Sequence, residues 1–174
     1  MGENKEENKS VVEIAGQDLF NFAVDREDIN TLIAHLPKET ECKPEAVEYE
    51  LQLLKIIITG WSISFFLEEK PHRDELAECF WESVHEFSET LSETTQLMTG
   101  QNINYFQILK ERLNMYVEAL TDRPEATEPV AVIGPVFAKV CGKADDVFAI
   151  MTGSKMFFLT LASVKDYLEY LKLQ

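Results

Sequence analysis

Apolar residues recur at helical spacing along most of this chain. Ile29, Leu32, Ile33 and Leu36 make the first clear run. Asp25 stands before it as an N-cap, Glu27 and Asp28 suit the first turn, and Pro37 stops it. Residues 11–24 are apolar but read as irregular, because Gly16 interrupts them. A second helix is predicted over residues 44–69, with Pro44 at its first position. Val47, Leu51, Leu54, Ile58, Trp61 and Phe65 fall on one of its faces. Leu53, Ile56, Ile57, Ile63 and Leu67 cover most of the other. A helix apolar nearly all round must be covered on several sides, either at the centre of a bundle or at a subunit interface. Gly60 in its middle would suit close approach by another helix.

The third helix is predicted over 71–98 and ends near Gly100. Leu76, Phe80, Trp81, Val84, Phe87 and Leu91 form its apolar stripe. A fourth, capped by Asn102 or Asn104, presents Phe106, Leu109, Leu113, Tyr116, Val117 and Leu120. Residues 122–129 (DRPEATEP) read as a polar loop. Pro135 then opens a fifth helix, with Val136, Phe137, Val140, Cys141, Ala144, Val147, Phe148 and Met151 on one side. Gly153 ends it, and Ser154 caps a last helix with Phe157, Leu161, Val164, Leu168 and Leu171 in its stripe. The β-branched and aromatic content also allows strands at 130–133 and 156–161. The pattern predicts an all-α fold, a bundle of five to six helices around the central apolar helix at about 44–69. Residues 1–10 (MGENKEENKS) read as a disordered lead-in without the apolar core of a signal peptide, and 11–174 as one domain.

Charge narrows the partners. With 31 acidic and 16 basic residues in 174, the formal net charge is −15. No run of Lys or Arg offers a footing for phosphate, so neither nucleic acid nor an anionic membrane is an expected partner. The only stretch that reads as membrane-like, residues 53–67, is shorter than a span needs and contains Lys55; it reads as a buried helix. Cys42, Cys79 and Cys141 are odd in number and far apart in sequence, with no zinc-type spacing. They read as free thiols in a reducing cytoplasm.

The sharpest feature lies opposite the third helix's apolar stripe. Glu75, Glu78, Glu82, Glu86, Glu89 and Glu93 fall within roughly an 80° sector, in a row about 27 Å long. Their i,i+4 pairs repel. Such a row could dock a basic partner or gather divalent cations, or it could be a solvated face offset by neighbouring Lys and Arg. Within it, Glu82-Ser83-Val84-His85 has the E-x-x-H form that supplies ligands in di-iron bundles. Those sites need a second such motif and two further Glu; His35 and His72 do not provide them. No nucleophile–base pair, G-x-S-x-G or phosphate loop is present, and no cofactor or metal is predicted.

These features point to a non-enzymatic, cytoplasmic interaction, adaptor or regulatory module that self-associates as a homodimer and docks a basic protein partner. The interface candidates are Leu53, Ile57, Gly60 and Trp61, with the glutamate row as the partner face. The alternative is a small-molecule binder or enzyme with a pocket between helices, lined by aromatics and by Lys55, Ser62 or Tyr116.

Overall fold

The structure is a computed structural model that describes residues 9–123 and 128–173. Among these residues the fold is all-α and carries no strand. Seven helices follow in order: α1 (Val11–Val24), α2 (Glu27–Ala34), α3 (Pro44–Phe66), α4 (Arg73–Thr99), α5 (Tyr105–Asp122), α6 (Val130–Val140) and α7 (Val147–Tyr170). The lead-in expected over residues 1–10 lies outside the described residues except for its last two. The middle of the loop expected over 122–129 lies outside them too.

Helix α3 is the centre of the bundle, packed by α7, α1, α4, α2, α5 and α6. Val47, Leu51, Leu54, Ile57, Ile58 and Ile63 are buried on different sides of it. Leu53, Ile57 and Gly60, read from the sequence as interface candidates, are covered within the chain, and Trp61 is half-buried. Gly60 is a seat for another helix, as its sequence position suggested. A Cβ there would lie 2.7 Å from Cε2 of Trp81 and 3.1 Å from Cε1 of Phe80, both on α4.

The all-α bundle around α3 is as expected; one helix is added to it and two boundaries move, each for a local reason. Residues 11–24 are not irregular: Ser10 and Glu13 form a capping box that starts α1. Gly16 continues that helix and lets it approach α4, where a Cβ would stand 2.7 Å from Cβ of Cys79. Second, Pro135 lies inside α6, which begins at Val130, so the possible strand at 130–133 is helix. Third, Gly153 lies in the middle of α7 and ends nothing, and the possible strand at 156–161 is helix as well. The break between α6 and α7 falls earlier, at Gly142 with φ 110°. Asp146, not Ser154, caps α7.

Two glycines bring α6 and α7 together. A Cβ on Gly134 would meet Oγ of Ser154 at 2.6 Å, and one on Gly153 would meet Cδ1 of Phe137 at 2.6 Å. Phe137 is fully buried and has no room to yield. Gly153→Ala is therefore expected to destabilise the fold by about 2 kcal/mol despite alanine's better helix propensity, lowering Tm by about 4–8 °C. Thermal unfolding checks this; a rise in Tm would mean that Gly153 is an ordinary exposed-type helix position.

Three buried charged groups tie the helices together, each with its partner. Lys55 is fully buried on α3; its Nζ donates to the Asp25 carbonyl at 3.0 Å, lies 3.2 Å from Oδ2 of Asp28 and sits over the Phe22 ring. Glu50 on α3 accepts from Nε and Nη2 of Arg112 on α5, at 2.9 and 2.8 Å. Asp146 binds the segment before α3 to the start of α7.

Candidate functional site: the acidic face of α4

Helix α4 is amphipathic, and its inner side decides where its acids go. Leu76, Phe80, Val84 and Ser88 are buried against the bundle. At 100° per residue this turns Glu75, Glu78, Glu82, Glu86, Glu89 and Glu93 outward, and all six are exposed. Two have a histidine nearby: Glu75 lies 3.9 Å from Nδ1 of His72, and Glu89 lies 3.5 Å from Nε2 of His85. Among the described residues no Lys or Arg pairs with any of the six. The neighbouring helices thus leave the row's self-repulsion unrelieved. Its field reaches Cys79, which lies between the rows; burial first, and then Glu75, Glu82, Glu13 and Glu78, push that thiol up.

The apolar stripe stops short of the helix end. Leu91 is 38% exposed, and Leu97 and Met98 stand free at 88% and 81%. The last turns of α4 therefore project past the bundle until Gly100, in the left-handed region at φ 71°, turns the chain back. Asn104 caps α5 by accepting from the Gln107 N–H at 2.9 Å. A groove of about 340 Å³ opens beside this reversal, lined by His85, Glu89, Glu93, Asn102, Asn104 and Phe106 among others. The His85 ring stands edge-on to Phe106, with centroids 4.5 Å apart. Two carboxylates of the row, the amide or imidazole groups of His85, Gln96, Asn102 and Asn104, and an aromatic wall thus share one concavity. The carboxylates suit a cationic side chain, while the Phe106 ring already lies under Nζ of Lys110, 4.8 Å from its centroid.

The E-x-x-H pattern does not form a metal centre. Glu82 faces solvent while His85 turns toward α5, and among the described residues no group of three or more His, Cys, Asp or Glu is placed to hold a metal ion.

Lys55, Ser62 and Tyr116 do not converge on one cavity. Lys55 is engaged by Asp25 and Asp28, and Ser62 donates to the Ile58 carbonyl within α3. Tyr116 is 3% exposed and its hydroxyl has no hydrogen-bond partner among the described residues. Burial and then nearby Glu50 hold that hydroxyl far above its ordinary range, so it does not act as a base. The space beside it, between Trp61, Leu120, Ile133 and Phe157, holds about 20 Å³, enough for a water molecule and no more. Burial likewise pushes the Cys42 and Cys141 thiols up, which suits inert core positions.

Sequence reading located the acidic row but missed Asp146, Glu50 and Arg112. The signal for Glu50 was present: a carboxylate within an otherwise apolar face needs a cation from elsewhere in the chain. Comparison with protein-family models, with curated proteins and with solved structures finds no match.

Proposed function

We propose that this protein is a non-enzymatic interaction module that holds a basic segment of a partner protein along α4. The observation that carries this reading is the row of six exposed glutamates with no Lys or Arg partner among the described residues. A helix that keeps a repulsive face at a cost of a few tenths of a kcal/mol per i,i+4 pair breaks a local rule, and an oppositely charged ligand removes the cost. The groove at the row's end, with Glu89 and Glu93, offers a Lys or Arg side chain an anchor. The same reading includes self-association; with Leu53, Ile57 and Gly60 covered inside the bundle, another surface makes that contact. The free state of Cys42, Cys79 and Cys141 supports a cytoplasmic site of action.

A synthetic peptide alternating Lys and Arg with small residues is the probe. It is expected to bind the wild type with an affinity that falls as salt rises, and Glu82→Gln/Glu86→Gln/Glu89→Gln should weaken binding at least tenfold and flatten the salt dependence. The same triple variant, free of ligand, should unfold at a higher temperature than wild type, because repulsion is relieved. Equal affinity of the two proteins for the peptide would sink the docking role of α4.

A further inference from the structure

We infer that the outward face of α7 is the surface on which two copies of this chain meet. Val147, Met151 and Phe158 stand at i, i+4 and i+11 on that face. Val147 is 60% exposed, Met151 50% and Phe158 52%, although the sequence pattern placed Val147 and Met151 in the apolar series of one helix. Leu159 flanks them at 46%. An aromatic series leads from there to α3. The Phe158 ring lies 5.8 Å from that of Phe157, which lies 6.1 Å from Trp61, and Trp61 stacks at 4.8 Å on exposed Phe65.

Charge selects the occupant. In a chain with a net charge of −15, residues 147–165 contain no Asp or Glu, and their charged residues are Lys155 and Lys165. A second copy approaching through α4 would set one glutamate row against another. Approaching through residues 147–165 of α7 it meets no carboxylate of that stretch, Asp166 and Glu169 lying beyond it toward the helix end, so this is the face on which two strongly acidic chains touch with least repulsion. The area agrees. Five large apolar side chains, each about half exposed, offer on the order of 500 Å², close to the apolar share of the roughly 800 Å² that each partner buries in a standard interface. A single stripe that serves both copies gives the isologous two-fold contact that closes at a dimer.

This inference deepens the self-association within the proposed function and is independent of what α4 binds. The test is sedimentation velocity on the full chain from about 1 to about 100 µM, the range in which an interface of this size class forms. The expected species is the dimer, twice the 19.9 kDa chain mass, and it should tighten as salt rises, because salt screens the repulsion between two anions. That salt response is opposite to the one expected for a basic ligand on α4. Met151→Glu/Phe158→Glu should raise the dissociation constant at least 100-fold and leave helical circular dichroism and cooperative melting unchanged. Met151→Ser/Phe158→Ser serves if the first variant melts early. Leu97→Glu/Met98→Glu, equally apolar but on the projecting end of α4, should stay dimeric. A wild-type monomer over the whole range overturns the proposal, as does a dimer that survives both α7 variants or is lost with Leu97→Glu/Met98→Glu. A wild-type monomer that floats with phosphatidylcholine vesicles would reassign the face to a lipid surface. Loss of dimerisation with peptide binding intact would leave the role of α4 standing.

Discussion

Replacing Arg112 with alanine is expected to cost about 3–5 kcal/mol of folding stability, the cost of leaving a buried carboxylate without its cation. The Glu50 side chain is 5% exposed and both of its oxygens are taken by the Arg112 guanidinium, at 2.9 and 2.8 Å. Those hydrogen bonds push the guanidinium above its ordinary range, so Arg112 stays charged. Two planar groups meeting in a bidentate fork also fix the register of α5 against α3. Among the described residues no other side chain donates a hydrogen bond to Glu50. Glu50→Met/Arg112→Met should recover most of the loss, because a buried pair replaced by apolar side chains of similar volume is close to neutral. Urea unfolding of the two single variants and the double variant closes the cycle. A cost below about 1 kcal/mol for Arg112→Ala would show that Glu50 reaches water in the native state.

Asp146 carries the second large effect. Its Oδ1 accepts from the Phe148 and Ala149 N–H groups at 3.0 and 3.3 Å, the capping interaction of α7. Its Oδ2 accepts from the Thr40 hydroxyl at 2.6 Å and from the Glu41 and Cys42 N–H groups at 2.8 and 3.0 Å. One carboxylate, 4% exposed, thus ties a segment more than a hundred residues away to the start of the last helix. Burial alone would raise its pKa; the hydrogen bonds from Thr40, Cys42, Ala149 and Glu41 outweigh burial and hold the group well below the ordinary carboxylate range. Asp146→Ala is expected to cost about 3–4 kcal/mol, since a charged acceptor is lost and buried donors are stranded.

The sign of the pH effect follows from the lowered pKa. The folded state holds the anion more tightly than the unfolded chain, so the stabilisation is complete above the unfolded value near pH ~4. It is lost progressively as the pH falls below about 5 toward the folded value. Wild-type stability should therefore decline steeply across that window. Asp146→Asn, which cannot ionise, should show a shallower decline and start lower at pH 7. Parallel acid curves for the two proteins would mean that Asp146 does not carry the acid sensitivity.

Local pattern alone determined the all-α class, the central place of α3, the extent of α4 to within two residues, and the glutamate row. Each of these depends on a property that repeats every 3.6 residues, which a single chain displays without reference to its neighbours. Tertiary contact decided the rest. Gly16, Pro135 and Gly153 read as punctuation because in isolation they weaken helices. In the fold, Gly16 and Gly153 lie where another helix comes too close for a Cβ. Glu50, Lys55 and Asp146 stayed obscure because their partners are 62, 30 and more than 100 residues away, a separation that no local window spans. Val147, Met151 and Phe65 belong to apolar stripes in the sequence and are exposed in the structure. Periodicity tells which residues share a side of a helix; only the packing of seven helices tells whether that side faces the core, another molecule or water.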